Sequence, residues 1–241
     1  MKKMGIKTAF SAGLLLLLAF SAYGGDKEDK TQDKKQDKKP AAEGAAPTDA
    51  AGVMEKLQGF YDGTKDFQAE FEQIYKHKLY NEEKKSSGKV FIQRPGKMRW
   101  EYKKPEKKLF VADGSYIWIY EEGINQVTKQ PLGESDLPVA ITFLVGKGKL
   151  KDEFTGKIVP HEKFSSKGKL VLELTPKKPS PQYKKLLFIV SKSDYQVERT
   201  IIIDESGNTN TMRFKNVQIN KGVDSKKFQF KPPKGATIVE P

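Results

Sequence analysis

The chain has 241 residues, of which 44 are Lys or Arg and 31 are Asp or Glu, and its formal net charge is +13 at pH 7. It has no cysteine and only two histidines, which excludes disulfide frameworks, thiolate metal sites, a cysteine nucleophile and a multi-histidine metal centre. We also expect no N-terminal anchor on a lipidated cysteine. The basic excess indicates an anionic partner, which is a nucleic acid, a membrane or a protein.

Residues 1–24 have the pattern of an export signal. Three lysines precede the apolar run Ala9–Phe20, which is shorter than the span of about 20 residues that crosses a membrane. Small residues at Ala22 and Gly24 match the −3 and −1 positions of a signal-peptidase site. We therefore predict cleavage near Gly24 and export to the bacterial periplasm. A retained N-terminal anchor is the alternative.

Residues 25–49 contain no aromatic residue and no aliphatic side chain larger than alanine. Six lysines alternate with seven acidic residues in this segment. Such a composition buries too little apolar surface to offset the entropy of ordering, so we predict a disordered spacer. The interleaved acids argue against a basic tail that binds nucleic acid. Most of the positive charge therefore belongs to residues 50–241, which we predict to form the folded domain.

The domain begins with one predicted helix and continues mainly in strands. Apolar residues recur at helical spacing from Val53 to Tyr61, between a cap at Thr48 or Asp49 and a stop at Gly63. After Gly63 the period changes to two, which is typical of antiparallel strands with one solvated face. The predicted strands are Asp66–Tyr80, Lys89–Gln93, Met98–Lys103, Lys108–Ala112, Tyr116–Glu121, Asn125–Lys129, Glu153–Pro160, Lys169–Thr175, Lys184–Ser191, Val197–Asp204, Thr209–Gln218 and Lys227–Lys231.

One apolar segment, Ser135–Gly146, interrupts the strands. Pro138 suits the first turn of a helix, and the apolar residues after it predict a short helix. Strands and helices do not alternate, which argues against a doubly wound fold. We predict a mainly β domain, an open antiparallel barrel with the two helices against its concave face. Because two short helices cover little area, the sheet either rolls onto itself around a packed core or keeps a cavity for an apolar ligand.

No signature of an enzyme occurs in its required context. Gly146–Lys149 lacks the spacing and the terminal Ser or Thr of a phosphate loop, and Asp204–Asn208 is too short for a calcium loop. His77 and His161 have no nearby serine and carboxylate in an elbow. Arg99–Tyr102 could serve as a stacking platform for nucleic acid, but the charge is mostly lysine and the chain carries an export signal. We therefore expect no enzyme, no cofactor, no metal and no nucleic-acid partner.

Several ordered motifs together carry a resemblance to a known family. Arg-Pro-Gly-Lys-Met-Arg-Trp-Glu-Tyr at Arg94–Tyr102 is followed by an Asp-Gly hairpin, an aromatic strand, a proline-led apolar helix and a Phe-x-Phe-x-Pro-Pro-x-Gly segment. The sequence thereby resembles the LolA family, the periplasmic carriers of outer-membrane lipoproteins, over about residues 50–240. Met98 departs from the pattern, because an aromatic is usual there, and the spacer is not part of it. The later motifs are Val111–Gly114, Tyr116–Tyr120, Pro138–Gly146 and Phe228–Gly235.

The resemblance implies an open antiparallel half-barrel whose helical lids cover a hydrophobic cavity for the acyl chains of a lipoprotein. It implies that the Arg94 guanidinium hydrogen-bonds backbone carbonyls of a lid and holds the closed state. The strand residues are assigned to faces by alternation alone, and a register error of one residue inverts that assignment. The residues expected at the cavity wall and lid are Trp100, Trp118, Ile141, Phe143 and Leu144, and Met98 is expected near the mouth of the cavity.

The implied function is that of a periplasmic chaperone acting as a monomer. It would take acylated lipoproteins from an inner-membrane ABC-type lipoprotein-releasing complex and deliver them to an outer-membrane lipoprotein receptor or to the outer membrane itself. Two other classes stay open. One is a carrier of another lipid or glycolipid, and the other is a non-enzymatic sensor of envelope stress on the same half-barrel.

Overall fold

The computed structural model describes residues 49–132, 148–165, 168–180 and 182–240. The predicted export signal, almost all of the predicted spacer and the predicted helix Ser135–Gly146 lie outside the described residues. The boundaries at Gly24 and Asp49 therefore stay predictions.

The first element of the described chain is the predicted helix, α1, which spans Ala50–Asp62. The Asp49 carboxylate accepts a hydrogen bond from the backbone N–H of Gly52 at 2.6 Å, which satisfies one of the free donors of the first turn. The helix ends at Gly63. Its apolar stripe faces the sheet, and the buried members of that stripe are Val53, Met54, Leu57 and Tyr61.

Strands dominate the rest of the described chain, as the period-two pattern predicted. A short helix, α2, spans Leu150–Glu153, and two 3-10 turns lie at Glu122–Ile124 and Ser225–Phe228. The strands are β1 Asp66–Lys76, β2 Glu83–Gln93, β3 Lys97–Lys104, β4 Lys108–Asp113, β5 Tyr116–Glu121, β6 Gln126–Pro131, β7 Phe154–Ile158, β8 Lys169–Pro176, β9 Lys185–Ser191, β10 Val197–Ile203, β11 Thr209–Ile219 and β12 Thr237–Val239.

The strands of the described residues form one sheet in the order β12-β6-β5-β4-β3-β2-β1-β11-β10-β9-β8-β7. Every neighbouring pair is antiparallel except β12 and β6, which are parallel. Because β12 and β7 do not pair with each other, the sheet is not closed into a barrel. The predicted open half-barrel is confirmed. The β1–β11 ladder joins a first half, β1–β6 with β12, to a second half, β7–β11.

Two apolar clusters cover the inner face of this sheet, which is the face beneath α1. The cluster of the first half contains Phe71, Val90 and Trp100. The cluster of the second half contains the buried side of α1 together with Leu172 and Phe188. The helix therefore covers the second half of the sheet, and the region between the two clusters lies next to its carboxyl end.

The first hairpin differs from its predicted boundaries. β1 ends at Lys76, four residues before the expected end at Tyr80, and β2 begins at Glu83, six residues before the expected start at Lys89. Residues 84–88 carry no apolar side chain, so no hydrophobic alternation marks them as a strand. They extend nonetheless, because Glu83 pairs with Lys76 and the antiparallel ladder supplies their hydrogen bonds.

The predicted last strand, Lys227–Lys231, is wrong. The structure has a 3-10 turn at Ser225–Phe228, capped by the Asp224 carboxylate, which accepts from the backbone N–H of Lys226 at 2.9 Å. Phe228 is buried on the outer face of the sheet against Phe91. Phe228 and Phe230 thus alternate because they pack on the outer face of the sheet, and not because they belong to a strand at its edge.

Residues 220–240, here named the C-terminal strap, run over the outer face of the first half. The start of the strap is held by Asp66 of β1, whose carboxylate accepts hydrogen bonds from the backbone N–H groups of Lys221 and Gly222, each at 3.1 Å. Farther along, the Phe230 ring lies 5.7 Å from the Trp118 ring, centroid to centroid. The strap ends as β12 beside β6. The first half therefore has a covered outer face as well as a covered inner face.

Candidate ligand-binding cavity

A small cavity lies where α1 and the two halves of the sheet meet. Its volume is about 10 Å³, which is room for about one water molecule. One lining residue belongs to α1, four belong to strands β1–β3 of the first half, and three belong to strands β10 and β11 of the second half. The residues are Tyr61, Phe67, Val90, Ile92, Trp100, Val197, Thr200 and Phe214. The cavity is therefore closed and almost entirely apolar in this conformation.

The roof of the cavity is Tyr61, near the carboxyl end of α1. Its side chain is buried, and its hydroxyl oxygen accepts a hydrogen bond from the backbone N–H of Val197 at 3.3 Å. Burial raises the pKa of this phenol well above its usual value, so the group stays neutral in water at ordinary pH. A neutral phenol suits an apolar cavity, because a buried charge without a partner is costly.

Arg94 ties the end of α1 to the turn after β2. Its Nη1 donates a hydrogen bond to the Tyr61 carbonyl oxygen, and its Nη2 lies 3.6 Å from Oδ1 of Asp62. The positive charge of Arg94 also interacts favourably with the negative end of the helix dipole. Arg94 therefore binds a backbone carbonyl of α1. That α1 is a lid and that Arg94 is its latch stay predictions.

Met98 and Trp100 lie on the inner face of β3, but Met98 is not among the residues that line the cavity, so its expected place near the mouth stays a prediction. Met98 pairs in register with Ile92 and Trp100 pairs with Val90, and both side chains are at least 96% buried. Trp100 lines the cavity directly, and its ring lies 5.1 Å from the Phe71 ring. The Trp100 Nε1 has no hydrogen-bond partner among the described residues.

Trp118 does not lie on the inner face with Met98 and Trp100, and the prediction that it forms part of the cavity wall is wrong. In the ladder, Trp118 pairs with Val111, and Val111 pairs with Arg99, which alternates with Trp100 along β3. Trp118 therefore lies on the outer face, where the strap residue Phe230 packs against it. The indole N–H donates to Oδ2 of Asp113 at 2.9 Å.

The Asp113 carboxyl group that accepts from the Trp118 indole has a lowered pKa. Burial raises its pKa, but hydrogen bonds from the Trp118 indole and from the backbone N–H groups of Tyr116 and Ser115 lower the pKa below its usual value. The carboxylate is thus held ionised as an acceptor for the indole. The pair explains why an aromatic residue occupies this half-exposed strand position without facing the cavity.

The other expected lid residues, Ile141, Phe143 and Leu144, lie outside the described residues, and their role stays a prediction. Of the eight lining residues, sequence reasoning named only Trp100 as a site residue. It missed the other seven, which are Tyr61, Phe67, Val90, Ile92, Val197, Thr200 and Phe214. Phe214 had a signal, because it alternates with Met212 on a predicted strand. Thr200 had none, since a single threonine in an isoleucine-rich strand marks no face.

Helix α1 approaches the sheet most closely at Gly156 of β7. A Cβ added to Gly156 would lie 2.4 Å from Sδ of Met54 and 3.4 Å from Cδ1 of Leu172, so a larger side chain there requires Met54 to move. The absence of a side chain therefore lets the helix lie directly on the strand.

Within the described ranges, no three His, Cys, Asp or Glu side chains lie close enough together to hold a metal ion. Within the same ranges, no helix combines the length and the hydropathy required to cross a bilayer.

Fold and cavity together define a class of protein: an open antiparallel half-barrel that encloses an apolar cavity beneath a helix tied down at its carboxyl end. A family model described as outer membrane lipoprotein carrier protein LolA matches residues 62–231. The chain belongs to the LolA family.

Curated relatives have the same description over most of their length. A protein of Dechloromonas aromatica (strain RCB) named outer-membrane lipoprotein carrier protein is 31% identical over 189 residues, covering 78% of this chain and 88% of the relative. A protein of the same name from Cupriavidus pinatubonensis (strain JMP 134 / LMG 1197) is 34% identical over 199 residues, covering 80% and 90%.

Among solved structures, an uncharacterized conserved protein from Thermus thermophilus has a similar fold. The TM-score is 0.50 at 13% sequence identity, over 79% of this chain and 98% of that chain. At this identity the likeness concerns the fold alone.

Proposed function

We propose that this protein is a periplasmic chaperone that binds the acyl chains of lipoproteins released from the inner membrane and delivers them to the outer membrane. The observation that carries the proposal is the apolar cavity beneath α1, with Arg94 bound to the end of that helix. Membership of the LolA family and the names of the curated relatives support it. We propose no catalytic role, because carrying a lipid changes no covalent bond.

The physical need for such a carrier follows from the hydrophobic effect. Each CH₂ group buried from water contributes about 0.8 kcal/mol, so a free acyl anchor does not cross an aqueous compartment unaided. The inner face of the half-barrel offers an apolar surface of the required kind. An acyl chain is many times larger than one water molecule, so α1 and the side chains beneath it must move when cargo enters.

Closing of the lid then supplies the means of release. In the conformation described above, α1 packs on the second half of the sheet and Arg94 binds the Tyr61 carbonyl. Cargo displaces these contacts, and their recovery favours release to the next partner. The carrier thus binds tightly enough to accept its cargo and weakly enough to surrender it.

We propose that the cargo comes from an inner-membrane ABC-type lipoprotein-releasing complex and passes to an outer-membrane lipoprotein receptor or to the outer membrane itself. The protein would act as a monomer in the periplasm, after removal of residues 1–24. The export pattern of that segment and the names of the relatives support this route.

The proposal is tested by lipoprotein release from spheroplasts. The purified protein is added to spheroplasts that produce one lipoprotein in an acylated form and in a form whose lipidated cysteine is replaced. We expect the acylated form to appear in the medium as a complex with the carrier, and the other form to gain nothing from its addition. Release that does not depend on acylation would contradict the proposal. Mass spectrometry of co-purified lipid that finds only a glycolipid or phospholipid would favour a different cargo.

A further inference from the structure

We propose that the indole N–H of Trp100 donates a hydrogen bond to a carbonyl oxygen of the bound lipid, so that the cavity recognises acyl groups and not hydrocarbon alone. The inference rests on the proposed function, because it names the chemical group that the same cavity selects. Trp100 is then a residue that determines specificity as well as part of an apolar wall.

The starting observation is a contrast between the two tryptophans of the chain. The Trp118 indole donates to the Asp113 carboxylate at 2.9 Å on the outer face. The Trp100 indole is 4% exposed, and its Nε1 has no acceptor among the described residues. Buried polar groups in native proteins are nearly always paired, so a buried donor without an acceptor among the described residues is open to an acceptor on a bound ligand.

Trp100, which carries this donor, is one of the residues that line the candidate site. The Trp100 side chain lines the cavity, and its neighbours across the ladder are Val90 and Phe110, both apolar. The cavity has two other polar lining residues. Of these, Tyr61 has a hydroxyl that already accepts from the Val197 backbone. The remaining lining, apart from Thr200, consists of hydrocarbon side chains.

The chemistry of an acyl lipid complements this arrangement. Each chain joins its backbone through an ester or amide, whose carbonyl oxygen accepts a hydrogen bond, while an indole N–H only donates. The cavity of about 10 Å³ has room for one water molecule, which can pair with the indole when no cargo is bound. An incoming carbonyl replaces that water without leaving the donor unpaired, whereas an alkyl ether or a plain hydrocarbon lacks the carbonyl.

The experiment compares an ester-linked diacyl lipopeptide with its dialkyl ether analogue of equal chain length. Binding of each is measured for the wild type, for Trp100→Phe, which keeps an aromatic ring but no donor, and for Trp118→Phe as the matched control. We expect the wild type and Trp118→Phe to prefer the ester by about twofold to tenfold, the range of one net hydrogen bond. We expect Trp100→Phe to bind both ligands equally.

A second measurement uses fluorescence and keeps Trp100 in place. In Trp118→Phe, Trp100 is the sole tryptophan, and its emission lies at longer wavelength when the indole N–H is hydrogen-bonded. We expect emission at longer wavelength with the ester bound than with the ether bound, because only the ester supplies a carbonyl acceptor in place of the displaced water. Replacing Trp100 by benzothienylalanine, which keeps the ring shape without the N–H, tests the preference in a variant that alters packing less than phenylalanine does.

Each outcome is decisive. Equal binding of ester and ether by the wild type overturns the inference, and so does a preference that persists without the N–H. These results leave the carrier role intact. If the wild type binds neither lipopeptide, the proposed function itself is contradicted, which is a different result from the loss of selectivity.

Discussion

Arg94 and Arg99 show how one residue type serves two purposes within a few positions of chain. Arg94 binds the Tyr61 carbonyl at the end of α1. Arg99 binds the Glu101 carboxylate at 2.6 Å and the Lys227 carbonyl at 3.0 Å, on the outer face beneath the strap. Each arginine ties a covering segment to the sheet, but only the first segment lies over the cavity. The pair therefore separates an effect on the lid from a general effect on stability.

Replacing Arg94 with Leu is predicted to favour the loaded state. A hydrogen bond to a charged group contributes about 1.5–3 kcal/mol, and its loss destabilises the closed empty state more than the open loaded one. We expect the affinity for an acylated lipopeptide to rise by about 10- to 100-fold, with loading intact and delivery to outer-membrane vesicles slowed. Titration and a transfer assay measure both effects.

Arg99→Leu is the matched control for this prediction, because it removes the same kind of contact from the strap. It should lower the stability without raising the affinity for lipid. Equal affinity and equal transfer rate in Arg94→Leu and wild type would show that Arg94 is no latch.

Trp118 shows why the sequence does not predict which side chains of β5 lie on the inner face of the sheet and which lie on the outer face. Along β5 the inner positions are Ile117 and Ile119, and the outer positions are Tyr116, Trp118 and Tyr120. Both sets are apolar or aromatic, because the core covers one face and the strap covers the other. Alternation distinguishes faces only when one of them is polar, so the motif could suggest an aromatic strand but not which side of it meets the cavity.

At the scale of elements, the sequence predicted the start and end of α1 and the positions of most strands. The capping residues of α1 and the period-two pattern of the strands are local signals, because each can be recognised within a short segment of sequence. The strand expected at Lys227–Lys231 failed because its apolar residues serve a long-range contact, that of Phe228 with Phe91. Such a contact depends on which surface of a distant strand is uncovered, and no local pattern records it.

The fit between α1 and β7 yields a prediction at this scale. Gly156→Val places atoms where Met54 now lies, since even a Cβ would approach its Sδ to 2.4 Å. Overpacking of this kind costs about 1–3 kcal/mol, and here the strain falls on the lid. We expect a lower free energy of unfolding in urea together with increased binding of an apolar fluorescent probe, because the helix no longer seats fully.

Gly59→Ala is the control on the helix itself, because a Cβ at Gly59 meets no atom within 4 Å. It should raise the free energy of unfolding by about 0.5–1 kcal/mol through helix propensity. If Gly156→Val leaves both the stability and the probe binding unchanged, the close approach of α1 does not seat the lid.

For the molecule as a whole, an open sheet with two apolar clusters provides both a fold and a place for cargo. The first half is covered on its outer face by the strap, whereas its inner face contributes four of the eight residues that line the cavity. The second half carries α1 as its cover. Because the cavity is lined by both halves and by Tyr61 near the end of that helix, we expect movement there to open the inner face without unfolding either half.

The central claim is that acyl chains enter the inner face, and site-specific photo-crosslinking in spheroplasts tests it most directly. A photoreactive phenylalanine analogue is placed at Phe214, which lines the cavity, or at Tyr116 on the outer face of β5 as the control. We predict a crosslink to the lipoprotein from position 214 that requires acylation, and none that requires acylation from position 116. An acylation-dependent crosslink from the outer face, or none from the cavity while a complex forms, would contradict the account.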